Sequence, residues 1–174
     1  VLLSAAREAT IVDVSHEVPP QDIECARLAL ARYWRRFPEG TVHLVVVDPG
    51  VGTARAAIAV ESDGRFLVGP DNGALSPALL FAGARAVQLA VPPTAAPTFH
   101  GRDLFAPTAA ALASGARLDE LGQPMLAPIV RRTPEPRRLA DGGIQGEIIT
   151  IDRFGNAITN CMSLRPGALE VGAR

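Results

Sequence analysis

Residues Val42 to Val47 form a nearly continuous apolar run that ends abruptly at Asp48-Pro49-Gly50. A strand wetted on one side alternates apolar and polar residues, whereas an unbroken run marks a strand covered on both faces, as in parallel sheets flanked by helices. The run therefore predicts a central parallel strand in a layered α/β domain. In open parallel sheets ligands bind beyond the carboxyl ends of the strands, which makes Asp48 a candidate functional residue. The glycines of Pro49-Gly50-Val51-Gly52-Thr53 let backbone approach a ligand, and Arg55 can fold back toward the carboxylate. An aspartate that merely forms the turn fits the same residues.

The flanking segments extend the alternation of strands and helices. Thr10 to Val14 is a β-branched run expected as a short strand, and Pro19-Pro20 breaks the chain before an amphipathic helix over Gln21 to Phe37. Ala56 to Val60 and Arg65 to Val68 read as strands joined by Ser62-Asp63-Gly64, and Gly69-Pro70-Asp71-Asn72-Gly73 as a tight loop before a helix over Leu75 to Ala82. Ala86 to Leu89 is a further strand. Beyond a proline-rich loop, Asp103 is placed to cap a small-residue helix reaching Ser114. The expected organisation is an N-terminal α/β domain over 1–122 with a mostly parallel central sheet, a Pro/Arg-rich linker over 123–143, and the start of a smaller β-barrel-like domain over 144–174. In that last part Gly146 to Asp152 and Ala157 to Cys161 form a hairpin around Arg153-Phe154-Gly155-Asn156. The opening Val1-Leu2-Leu3-Ser4 resembles the middle of a helix, and the chain is expected to be a piece clipped at both ends.

Composition narrows the chemistry. All 17 basic residues are arginine, so no lysine is present for a Schiff base or a P-loop phosphate clamp. The formal net charge of -1, with both signs spread along the chain, gives no basic stripe for nucleic acid. No apolar run approaches a membrane span, and no secretory leader pattern opens the chain. Cys25 and Cys161 lie too far apart for a paired metal-binding spacing and are too few for a disulfide scaffold, which points to a reduced, cytoplasmic setting.

Among other polar residues, His100 stands at a loop-to-helix junction where free backbone amides can face a polar ligand. His43, within a strand, reads as structural, and His16 as tying down a strand end. Asp71 and Asn72 suit a tight turn better than a ligand site. Asp152, Phe154 and Asn156 place a carboxylate, an aromatic face and an amide at one hairpin tip, a set able to read a purine and an ammonium or simply to make a turn. Asp13, His16, Asp48, Asp71, Asn72, His100 and Asp103 are also the residue types of a metal-dependent phosphoesterase or nucleoside hydrolase.

Four segments, DPGVGTAR (Asp48–Arg55), GPDNG (Gly69–Gly73), TFHGRDLFAP (Thr98–Pro107) and IDRFGNAITN (Ile151–Asn160), occur in one order. Together they resemble the S-adenosyl-L-methionine (SAM) hydrolase, or SAM hydroxide adenosyltransferase, family, which is related to the fluorinating and chlorinating enzymes. The resemblance implies hydrolysis of SAM to adenosine and L-methionine without metal or cofactor, by a homotrimer with active sites at subunit interfaces. It implies catalytic roles for Asp48, Arg55 and His100, a pocket lined by Phe99 and Gly101, and substrate binding by Asp152, Phe154 and Asn156. The halogenating relatives carry tyrosines where this chain has Asp48 and His100, and the fluorinating ones a serine at the place of Gly101. Members normally open on a strand and a Thr-Asp-Phe-Gly-type motif, and the N-terminal domain as given is expected to lack that first strand.

The implied chemistry is in-line attack of water or hydroxide on the 5′ carbon. The sulfonium leaves as neutral methionine and needs no acid, so positioning, worth on the order of 7–11 kcal/mol, outweighs a general base at about 10²–10⁴-fold. His100 is the expected proton acceptor, with Asp48 and Arg55 fixing it or the water. A SAM-dependent halogenase and a non-catalytic SAM- or adenosine-binding module are the remaining alternatives.

Overall fold

The centre of the sheet is a hairpin set by two residues. Strands β2 (Ala57–Ser62) and β3 (Arg65–Pro70) pair antiparallel, with Ser62 opposite Arg65. Asp63 and Gly64 between them have φ of +49° and +70°. Positive φ at both central positions is what the tight hairpin turn needs, and aspartate followed by glycine is among the cheapest ways to provide it. The computed structural model describes residues 1–152 and 154–161; Arg153 and the end of the expected second domain, 162–174, lie outside them.

Around this hairpin the remaining strands are β1 (Val42–Leu44), β4 (Arg85–Leu89) and β5 (Gly122–Pro124), in the order β1-β3-β2-β4-β5. β1 runs parallel to β3, and the other three pairings are antiparallel. The expected mostly parallel sheet with the 42–47 run at its centre is therefore corrected. The described sheet is mostly antiparallel, and β1 lies at its edge. Short connections such as Asp63-Gly64 can join only antiparallel neighbours. An apolar run reports burial on both faces, and here helices cover both faces whatever the strand direction.

Alternation along the strands divides the core in two. Ile58, Val60 and Leu67 face a cluster with Leu30 and Trp34 of the segment containing α2 (Ile23–Tyr33), and with Ala78 of α3 (Ser76–Leu79). Ala57, Ala59 and Val68 face the other way, onto Phe105 and onto Ala109 and Leu112 of α4 (Ala106–Ala113). Successive side chains of a strand point to opposite faces, so one short hairpin supplies both cores. α2 begins where Asp22 accepts the Cys25 N–H at 2.8 Å, and its last turn tightens into a 3₁₀ turn over Trp34–Arg36. Leu30 is fully buried, so its truncation to alanine would cost about 2–5 kcal/mol.

Several expectations shift locally. Thr10 to Val14 forms no strand; its side chains are exposed, and His16 meets Asp13 at 3.1 Å on the surface. No described strand lies alongside to complete a ladder. The helix expected over 75–82 is regular only from Ser76 to Leu79. A short helix, α1 (Leu2–Ala5), opens the chain.

The chain divides into two compact units, Val1–Arg131 and Arg132–Arg174. In the second, β6 (Arg137–Arg138) pairs with β7 (Ile144–Gln145), and β8 (Ile148–Ile151) with β9 (Ala157–Thr159), both antiparallel. These are two separate two-stranded ladders, and the described residues contain no closed barrel.

Candidate active site

Beyond the carboxyl end of β1 the chain leaves the sheet, and Asn72 fastens it there by donating its Nδ2 hydrogen to the Val47 carbonyl at 2.9 Å. The turn that follows returns Arg55 to Asp48. Arg55 Nε donates to Asp48 Oδ1 at 2.9 Å, and Nη2 donates to Asp48 Oδ2, a two-pronged pair matching the planar guanidinium to the carboxylate. Side-chain exposure is 10% for Arg55 and 6% for Asp48, so both charges are withdrawn from water and each depends on the other. The guanidinium also lies 5.2 Å from the centre of the Phe105 ring.

His100 comes from a different part of the chain and joins the pair. Its Nδ1 lies 2.9 Å from Arg55 Nη2. A guanidinium has no acceptor, so Nδ1 must accept, which leaves the neutral ring with its hydrogen on Nε2. His100 is largely buried, its one described side-chain hydrogen bond is the one at Nδ1, and since no fully buried side-chain nitrogen among the described residues lacks a partner, Nε2 keeps access to solvent. A π-helical turn over Gly101–Phe105 follows it and runs into α4. Pro107, in the first turn of α4, has no N–H to give the carbonyl four residues back, and its ring crowds that carbonyl, which favours the wider turn.

Two glycines let the loops approach. Gly52 has φ of +77°, and a Cβ there would lie 2.9 Å from the Pro97 carbonyl oxygen, so the loop after β1 packs directly on the loop before His100. A Cβ on Gly101 would lie 3.3 Å from Val46 Cγ1. Val46 lines an open depression of about 350 Å³ with Pro20, Gln21, Val47, Asp48 and Pro49. Phe99, 53% exposed, has the Arg102 guanidinium 4.7 Å from its ring centre.

Asp48, Arg55 and His100 are thus brought together, with Gly101 against Val46 of the depression. Asp152, Phe154 and Asn156 belong to the second unit. There Asp152 Oδ1 accepts the Phe154 and Asn156 N–H groups and Oδ2 the Asn156 side-chain amide, each at 2.9 Å, and the Phe154 ring is exposed. Among the described residues no group of three or more His, Cys, Asp or Glu side chains is placed to share a metal ion, so the acidic and histidine residues counted for a metal centre are not gathered. His43 is buried in β1 and shares a hydrogen bond with the Trp34 carbonyl at 2.9 Å, the structural part expected of it.

Asp71 and Gln21 carry more than their sequence suggested. Asp71 is buried, accepts the Ile129 N–H at 2.8 Å, and its carboxyl is pushed up by burial. Gln21 lines the depression in a left-handed conformation, φ +67°, which a non-glycine residue seldom adopts. Pro19-Pro20 announced a break, but no sequence signal specified that conformation. Asp103 departs most from expectation. It makes no side-chain cap on the helix; Oδ2 accepts the Ala96 N–H at 2.9 Å, on the other side of His100.

The family model described as SAM hydroxide adenosyltransferase N-terminal domain matches residues 1–122. The chain is 42% identical to an (R)-S-adenosyl-L-methionine hydrolase of Thermus thermophilus, over 100% of this chain and 72% of that protein. It is 43% identical to a protein of the same name from Salinispora arenicola, over 90% of this chain and 62% of that one. The crystal structure of an uncharacterized conserved protein from Thermotoga maritima is similar with a TM-score of 0.83 and 36% identity, covering 91% of this chain and 63% of that chain. The chain therefore spans roughly two thirds of the length of the proteins it matches. Among the described residues no helix is long and apolar enough to cross a membrane.

Proposed function

The chain belongs to the SAM hydroxide adenosyltransferase family, and on that premise we propose that the protein hydrolyses S-adenosyl-L-methionine to adenosine and L-methionine. The observation that carries the reading is the joining of Asp48 and His100 through one buried guanidinium at the end of β1, beside a depression open to a small molecule.

In this reading a water binds between the Asp48 carboxylate, which accepts from it, and the His100 Nε2–H, which donates to it. Its oxygen then attacks the 5′ carbon in line with the sulfonium. The C5′–O bond forms as the C5′–S bond breaks, the bonding pair leaves on sulfur as neutral methionine, and the proton shed by the water passes to the carboxylate side or to solvent. Because the single lone pair of the neutral imidazole is given to Arg55, His100 orients the water rather than taking its proton. Arg55 fixes both partners and supplies positive potential toward developing hydroxide. Most of the acceleration then comes from positioning.

The same carboxylate argues for water over halide. A halide brings its own charge to a carboxylate it cannot use, whereas water arrives neutral, donates to Asp48 and sheds its proton as it attacks. Phe99 and Gly101 as pocket walls, Asp152, Phe154 and Asn156 as substrate contacts, the second unit as the opening of a β-barrel-like domain, a homotrimer with active sites at its subunit interfaces, action without metal or cofactor, and a cytoplasmic setting complete the proposal.

The test is chromatography of products after incubating the full-length protein with SAM in chelator, with and without chloride. Adenosine and methionine, unaffected by chelator and chloride, are expected. 5′-Chloro-5′-deoxyadenosine would move the protein to the halogenating relatives, and loss of activity in chelator would overturn the metal-free chemistry.

A further inference from the structure

We infer that Asp103 is a positioning residue for His100, latching the loop that carries it. The inference rests on the proposed hydrolysis only for its kinetic readout. The segment from Ala96 to Asp103 is closed on itself by one residue, through its side chain and its backbone N–H. Asp103 Oδ2 accepts the Ala96 N–H at 2.9 Å, while the Asp103 N–H donates to the Phe99 carbonyl, also at 2.9 Å. Within the loop the Phe99 N–H donates to the Ala96 carbonyl at 3.0 Å. His100 lies inside this closed loop, and its neighbour Pro97 is the residue on which Gly52 packs. A shift of the loop therefore moves the imidazole relative to Arg55 and disturbs the contact with the turn after Asp48.

The same carboxylate orders a second side chain. Arg102 Nε donates to Asp103 Oδ1 at 2.6 Å and Nη2 to Oδ2 at 2.9 Å, and the guanidinium so held lies over the Phe99 ring. The Arg102 hydrogen bonds and the Ala96 N–H pull the Asp103 carboxyl down to about 2, so it remains an acceptor throughout the range in which an enzyme works. The Asp103 carboxylate makes no capping hydrogen bond to the helix backbone, so its removal costs the helix no cap. What its removal releases is the loop on the far side of His100.

The experiment compares Asp103→Ala and Asp103→Asn in the full-length protein by steady-state kinetics with SAM, by melting temperature, and by the imidazole ¹H–¹⁵N spectrum of the three histidines. Asparagine can still offer an oxygen to Ala96, and alanine cannot. D103A is expected to lower kcat by on the order of 10²-fold, the scale of a misplacement of about 1 Å, with little change in melting temperature. It should shift the His100 ring signals while leaving those of His16 and His43 in place, and D103N should recover most of both effects. Should D103A not fold, D103S, too short to reach Ala96, takes its place. Wild-type kcat and wild-type His100 signals in D103A would overturn the inference, as would equal losses in D103A and D103N that follow the melting temperature. If the wild-type protein forms no adenosine, the proposed hydrolysis fails, and the substrate-free ring spectrum decides the role of Asp103 by itself.

Discussion

Arg55 Nη2 donates to His100 Nδ1 across 2.9 Å while the same guanidinium grips Asp48, so one buried cation sets both the place of the carboxylate and the tautomer of the imidazole. The cation is the keystone of the site, and its removal has a larger effect on stability than a surface ion pair would. Arg55→Ala leaves the buried Asp48 carboxylate without a counter-charge, and a loss of about 3–5 kcal/mol is expected. Replacing both partners with apolar residues, Asp48→Leu with Arg55→Met, should recover much of that stability and none of the turnover. Urea denaturation of the single and double variants checks this; a double variant no more stable than R55A would show that the buried charge is not the cause.

His100 acts in the proposed mechanism as a hydrogen-bond donor from Nε2. His100→Gln keeps a side-chain amide N–H near that position, whereas His100→Ala keeps nothing. H100A should lower kcat by about 10²-fold or more, and H100Q by less, because misplacing the water costs on that scale. The same kcat in both variants would remove the donor role from His100.

Much of this site was legible in the sequence. Asp48 was marked by the point at which an apolar run gives way to Pro49-Gly50, and Arg55 by its place across a glycine-bearing turn. His100 and the shared family rested on four motifs taken together. Strand direction was not legible, because burial on both faces follows from two covering layers of helix and is blind to whether neighbouring strands run up or down. The role of Asp103 was missed for a related reason. Local spacing advertises the bond to the helix three residues ahead, while the actual bond to Ala96 runs backward around His100 and depends on how the proline-rich loop folds. Gln21 carried no mark either, since its positive φ belongs to the third position of a turn closed by the Asp22 N–H on the Pro19 carbonyl at 3.1 Å, a position usually filled by glycine or asparagine.

Gly52→Ala tests whether the two loops must touch. The left-handed backbone at φ +77° costs a residue with a Cβ about 1–2 kcal/mol, and the Cβ would also lie 2.9 Å from the Pro97 carbonyl oxygen. The variant is expected to be less stable by at least that amount and to lose turnover beyond what stability explains, because the loop carrying His100 must shift. Gly52→Ala with wild-type kcat would show that the contact does not position the site.

Two buried titratable groups give opposite pH signatures in the first unit. Burial pushes His43 below its ordinary value of 6.5, against the opposing pull of its bond with the Trp34 carbonyl. Above 6.5 the ring is neutral both folded and unfolded, and its contribution is whole. As the pH falls below 6.5 the unfolded chain takes up the proton first, and stability drops toward the lower folded value. Asp71 is the reverse case: burial pushes its carboxyl above 3.8, with the Ile129 N–H opposing. Its contribution is full below 3.8 and is lost as the pH rises through the folded value, so at neutral pH the buried carboxylate burdens the fold. Asp71→Asn retains an oxygen for the Ile129 N–H and removes the charge, and it should raise the denaturation midpoint at pH 7.5 with little effect at pH 3.5. His43→Gln should flatten the decline in midpoint between pH 6.5 and pH 5. Urea midpoints across this range for the wild-type protein and the two variants check both signs, and an Asp71→Asn variant destabilised at pH 7.5 would mean that the ionised carboxylate is stabilised by the Ile129 N–H by more than its burial costs.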